Sequence, residues 1–151
     1  MKKLHFTKFI DAPVEKVWDT MLGDVTYRQW TMPFNPGSYY KGDWSEGSKM
    51  LFIGPDPEGH GAEGGMISHV KENREHEFLS IEHYGFLKDG VEDTTSDMVK
   101  EWAGAHENYT FTEKEGGTEV SVDVDVAEEY ESMFAEMWPK ALDALKELSE
   151  K

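Results

Sequence analysis

Between residues 128 and 150, apolar side chains recur at intervals of three and four: Tyr130, Met133, Phe134, Met137, Trp138, Ala141, Leu142, Leu145 and Leu148. That spacing puts them along one side of an α-helix, and a helix with one apolar stripe must lay it against another layer. Glu128, Glu129 and Glu131 suit the positive end of the helix dipole, and Lys140 and Lys146 lie nearer its negative end. Pro139 removes a backbone donor and is expected to kink the helix near residue 135 without dividing it.

The rest of the chain supplies the layer. Residues 3–10 alternate as a strand, with Leu4, Phe6 and Ile10 on one face. Asp11, Ala12 and Pro13 form a helix entry, with Asp11 expected to cap free amides. Val14, Val17, Trp18, Met21 and Leu22 then follow at helical spacing until Gly23. Tyr27 to Trp30 fit a second short helix, ended by Pro33, Pro36 and Gly37. Strand-like segments follow at 38–44, 48–53, 65–72, 77–86, 105–113 and 118–126. The last two form the clearest hairpin: Tyr109 and Phe111 alternate with threonines, Gly116 and Gly117 turn the chain, and Val120, Val122, Val124 and Val126 alternate with polar residues. Residues 54–64, rich in Gly and Pro, read as an exposed connection. Residues 87–104 form a long acidic loop, either an exposed connection or, given Trp102, a lid over the sheet mouth. The expected order is one strand, two short helices, six strands and a long helix, an α+β arrangement in a single domain spanning 1–151.

Charge narrows the partners. With 31 acidic and 15 basic residues the formal charge is -16, so phosphate backbones and anionic lipid surfaces are repelled. Neither nucleic-acid binding nor membrane insertion is expected. There is no cysteine, which removes disulfides, thiolate metal sites and a cysteine nucleophile. The first residues, MKKLHFTKFI, lack the apolar core of a signal peptide, and a cytoplasmic location is expected.

The run Ile10, Asp11, Ala12, Pro13, Val14, Glu15, Lys16, Val17, Trp18 resembles the I-x-A-P-x-E-x-V-W entry of the SRPBCC (START-like) superfamily, including the branch related to activators of the heat-shock chaperone ATPase. Gly42 to Gly47 (GDWSEG) resembles that branch's turn into its third strand. Glu107 to Phe111 (ENYTF) and Trp138 to Leu142 (WPKAL) are similar to bacterial SRPBCC proteins of unassigned function. The resemblance covers essentially the whole chain. It implies a helix-grip fold: a seven-stranded curved antiparallel sheet wrapped around the long C-terminal helix, two short helices after strand 1, and a cavity between sheet and helix. Functions across the superfamily are diverse, so the fold alone does not assign one.

The residues that could line such a cavity are Trp30, Phe52, Met66, Tyr84, Trp102, Tyr109, Met133, Met137 and Trp138, although core packing accounts for most of them individually. Phase adds two polar candidates. Glu107 falls in step with Tyr109 and Phe111, and His83 in step with Leu79 and Ile81, although Phe78 and Tyr84 mark the other face of the same strand. A carboxylate and an imidazole pointing into one space are best paired, either as a structural ion pair or as contacts to a ligand. As base and orienter they would also suit a cyclase-like or hydrolytic enzyme, the resemblance's catalytic alternative. A third reading, again from the resemblance, is a chaperone-associated interaction domain. No cofactor is expected: Asp56, Glu58 and His60 lack a further metal ligand set, residues 89–97 lack the calcium-loop order, and no phosphate-binding loop is present. The leading expectation is a binding module for a small apolar or aromatic ligand. Homodimerisation is compatible with the sequence but demanded by no feature of it.

Overall fold

A computed structural model describes residues 1–55 and 63–151. The chain runs β1 (Lys2–Ile10), α1 (Val14–Leu22), α2 (Asp24–Trp30), β2 (Tyr39–Lys41), β3 (Lys49–Pro55), β4 (Glu63–Arg74), β5 (Phe78–Lys88), β6 (Val91–Asp93), α3 (Asp97–Trp102), β7 (His106–Lys114), β8 (Gly117–Val126), a short 3-10 helix (Glu128–Tyr130) and α4 (Glu131–Ser149). Every strand pairing is antiparallel, in the order β1-β8-β7-β5-β4-β3-β2, with β6 added to β5. The fold is the expected α+β arrangement, a curved sheet with its long helix at the C-terminus.

Alternation sets the faces. On β8 Val120, Val122, Val124 and Val126 are buried, and on β7 Tyr109 and Phe111 lie across from Val122 and Val120. These rows meet Trp138, Ala141, Leu142 and Leu145 of α4, together with Val17, Trp18 and Met21 of α1, in one core. A stripe of this kind is stabilised mainly by burial, about 1.5–3 kcal/mol for each large apolar side chain. Coverage of α4 is uneven along its length. Its second half is buried, whereas Tyr130, just before it, and Met133 in its first turn are exposed. The helix is continuous across Pro139.

Three details depart from the sequence reading. The acidic stretch after β5 is not a structureless lid: it holds the eighth strand, Val91–Asp93, and the helix Asp97–Trp102, whose cap is Ser96 accepting from the Val99 amide. Second, Asp11 does not cap α1. Pro13 occupies the cap position, and the Asp11 amide instead donates to Glu150 Oε2 at the end of α4. Third, β2 stops at Lys41, because Gly42 and Trp44 adopt positive φ angles of 136° and 65°, which extended pairing does not accommodate. Trp44 is held there by its indole N–H, which donates to the Leu22 carbonyl that also accepts from Tyr40. Most of the Gly- and Pro-rich connection, including Asp56, Glu58 and His60, lies outside the described residues.

The outward face carries a row of charges. Glu82 receives Lys71 Nζ, His69 Nε2 and His106 Nε2, each at 3.2 Å. The His106 amide donates to Asp125, which also pairs with Lys3 at 3.0 Å. Among the described residues no helix is long and apolar enough to cross a membrane.

Candidate functional site

β4, β5 and β7 bring four polar side chains together on the core-facing side of the sheet. Ser68 is directly opposite His83, and Ile81, two residues before His83, is opposite Glu107. Ser68 Oγ lies 2.6 Å from His83 Nδ1, and His83 Nε2 lies 3.5 Å from Glu107 Oε1. The Tyr109 hydroxyl donates to the other oxygen, Glu107 Oε2. The result is a continuous polar chain, Ser68–His83–Glu107–Tyr109, across three strands. Burial, reinforced by the charge and hydrogen bond of Glu107, pushes the Tyr109 phenol well above its ordinary range. Burial first, and then the charges of Glu107 and Tyr40, push up Tyr27 on α2, so both phenols stay protonated.

An irregularity in β5 decides what surrounds this chain. Ile67 pairs with Gly85 but the next residue, Ser68, pairs with His83, so Tyr84 is an extra residue, a β-bulge. Simple alternation would put His83 and Phe86 on opposite faces. The bulge puts both on the inner face, where the Trp102 indole lies flat over them, with ring centroids 5.1 Å from His83 and 4.5 Å from Phe86. Residues Gly104 and Ala105 exchange backbone hydrogen bonds with His83, which fixes the end of α3 against the site.

The other candidates separate into four groups. Phe52 closes the site edge-on to His83 at 6.4 Å, and Tyr27 lies 6.3 Å beyond Phe52. Trp30 and Trp138 form the apolar side: their rings are 6.2 Å apart, and Trp138 is 6.1 Å from Tyr109. Met66 and Met137 are half-buried, Met66 packing against this core. Tyr84 lies elsewhere, on the outer face against His69 at 5.5 Å, and Met133 is 40% exposed on α4. Ser68, Tyr27 and Phe86 are additions that the sequence reading did not single out. Ser68 is in step with Met66 and Val70, and Tyr27 stands three residues before Trp30 on one helix, so periodicity offered a signal for both. Nothing in the sequence marked the bulge that delivers Phe86.

Chemically the chain is an imidazole held between a hydroxyl and a carboxylate. Its order imitates a nucleophile, base and orienter, but Ser68 is completely buried and so offers no oxygen to a substrate. The groups open to contact are Glu107 and the surrounding aromatic faces. Two open hollows lie away from this point. One, of about 430 Å³, is bordered by Pro13, Val14 and the β7–β8 turn, and the other, of about 320 Å³, by β1, Pro139, Leu142 and Asp143. Among the described residues no group of three or more His, Asp or Glu side chains is arranged to hold a metal ion.

Residues 11–150 match the family model described as Activator of Hsp90 ATPase homolog 1-like protein. The chain belongs to this family. Three solved structures agree with the assignment at the level of fold. A protein from Nitrosomonas europaea superposes with a TM-score of 0.73 at 18% identity, covering 97% of this chain and 92% of that one. An AHSA1-like protein from Aeromonas hydrophila gives 0.72 at 16% identity, covering 99% and 92%. A dimeric Aha1 protein from Colwellia psychrerythraea gives 0.71 at 16% identity, covering 99% and 97%. No curated protein sequence matches the chain. Membership in the Hsp90-activator-like family fixes the architecture around the polar chain and assigns it no role.

Proposed function

We propose that the concave face of this protein binds a small apolar or aromatic ligand between the sheet and α4, with Glu107 and His83 as its polar points. Glu107 carries the reading. It stands in the same row as the buried Tyr109 and Phe111, yet its side chain is 22% exposed, against 6% for its partner His83. A carboxylate in a core-facing row is costly unless it is paired or reaches solvent. Its exposure, together with half-buried Met66, Phe86 and Trp102 on the side of its partner His83, supports an opening at this end of the concave face. Aromatic faces with one or two directed polar groups are the usual lining of a small-molecule site.

Titration with the neutral apolar dye Nile red tests the reading. Saturable one-to-one binding is expected, weakened about tenfold by Trp102→Ala, which removes the indole over His83, and unchanged by Val25→Ala on the exposed side of α2. Absence of saturable binding, or binding indifferent to Trp102→Ala in a variant with an unchanged circular dichroism spectrum, would overturn it.

A further inference from the structure

We infer that the ligand held at Glu107 carries a positively charged amine beside an aromatic or short apolar body, and that this site discriminates against carboxylates. The inference rests on the ligand-binding reading above and assigns the ligand's class.

Four observations converge on it. First, Glu107 has unused capacity. Its Oε1 is 3.5 Å from His83 Nε2, well beyond the roughly 2.7–2.9 Å of a tight charge-assisted N–H to oxygen bond. Its Oε2 accepts the neutral Tyr109 hydroxyl. An ammonium group has three donors and can use both oxygens without displacing either partner. Second, among the described residues no lysine or arginine pairs with Glu107. The basic side chains are engaged elsewhere, as in Lys3–Asp125, Lys71–Glu82 and Lys49–Glu92 on exposed surfaces. An entering carboxylate would meet a like charge with no lysine or arginine to compensate it.

Third, the walls suit a cation. Phe52 and Trp102 pack against His83, the partner of the carboxylate, and Tyr27 lies beyond Phe52, and the negative faces of aromatic rings attract ammonium groups. Burial first, and the charge of Glu107 second, push up the phenols of Tyr27 and Tyr109, so both rings stay neutral beside an entering cation. Fourth, the formal charge of -16 raises the local concentration of cations and lowers that of anions before any contact is made.

The test compares three probes of similar shape, phenylbutylamine, phenylbutanol and phenylbutyrate, by calorimetric titration at neutral pH and about 0.15 M salt, where long-range fields are largely screened. The amine is expected to bind about tenfold more tightly than the alcohol, and the carboxylate more weakly than both. Glu107→Gln should bring the amine to the level of the alcohol and leave the alcohol's affinity within about twofold. Glu82→Gln removes the same charge from the opposite face of the sheet and should preserve the amine's advantage, which separates a local contact from the overall field. If Glu107→Gln does not fold, the order of the three probes on the unaltered protein and its persistence in Glu82→Gln still decide the charge selectivity. Equal binding of amine and alcohol, or tighter binding of the carboxylate, overturns the charge selectivity alone. Failure of all three to bind overturns it together with the ligand-binding reading.

Discussion

Ser68 and His83 are buried together, with Ser68 completely inaccessible, so each satisfies a polar atom that water cannot reach. Replacing Ser68 by alanine leaves His83 Nδ1 without that partner. The expected cost is about 1–3 kcal/mol of stability, measured by urea denaturation, with a disturbed His83 imidazole resonance as the local sign. Half of this pair was legible from sequence. His83 and Glu107 were placed inward by two-residue alternation, and the structure brings them to 3.5 Å. Ser68 escaped because a serine in a strand carries no apolar signature, although Met66 and Val70 on either side fix its phase. Tyr84 shows the complementary error. Its aromatic ring invites a place in the core, yet it lies on the outer face against His69, as alternation from His83 requires.

At the scale of elements, β3 and β4 approach each other closely where Ile53 pairs with Gly65. A Cβ added at Gly65 would overlap the Phe52 carbonyl, which is backbone and cannot swing aside. Gly65→Ala is therefore expected to destabilise the protein by at least about 1–3 kcal/mol and to weaken Nile red binding, since Phe52 is a wall of the site. A lowered melting temperature without change at the site would contradict that coupling. Long elements were readable because their periods are strong: the α4 stripe and the β7–β8 hairpin both extend over more than two turns or pairs. The short ones were not. Val91–Asp93 is an exposed three-residue strand defined by pairing with β5, and Asp97–Trp102 is a six-residue helix with one buried side chain, Val99. Neither has enough residues to establish a period, so tertiary contacts decide them.

Across the whole molecule, the outer face links charge to stability. Burial raises Glu82, but the hydrogen bond and charge of Lys71, with His69 and His106, outweigh it and hold the carboxyl below its ordinary value of 4.5. Asp125 is likewise raised by burial and lowered further by the His106 amide and Lys3, ending below 3.8. A carboxyl depressed in the folded state stabilises it above the unfolded value and loses that contribution as pH falls through the folded one. Stability to urea should thus decline as the pH is lowered from about 4.5, with a shallower decline in Glu82→Gln. An identical acid limb in that variant would remove Glu82 from the explanation. Net charge was plain in the composition, but this row was not, because it joins residues from β4, β5, β7, β8 and β1.

The strand order also bears on how the protein is made. Among the described residues β1 has one neighbour in the sheet, β8, whose register pairs Lys2 with Val126 and Ile10 with Thr118. During synthesis at roughly 5–20 residues per second, β1 leaves the ribosome early and waits several seconds, at least, for its partner. Its apolar residues, Leu4, Phe6 and Ile10, are unprotected in that interval, interrupted by the lysines at positions 3 and 8. The same charges pair with Asp125 and Asp143 in the finished domain, and lysines on an unpaired strand disfavour its pairing with another chain.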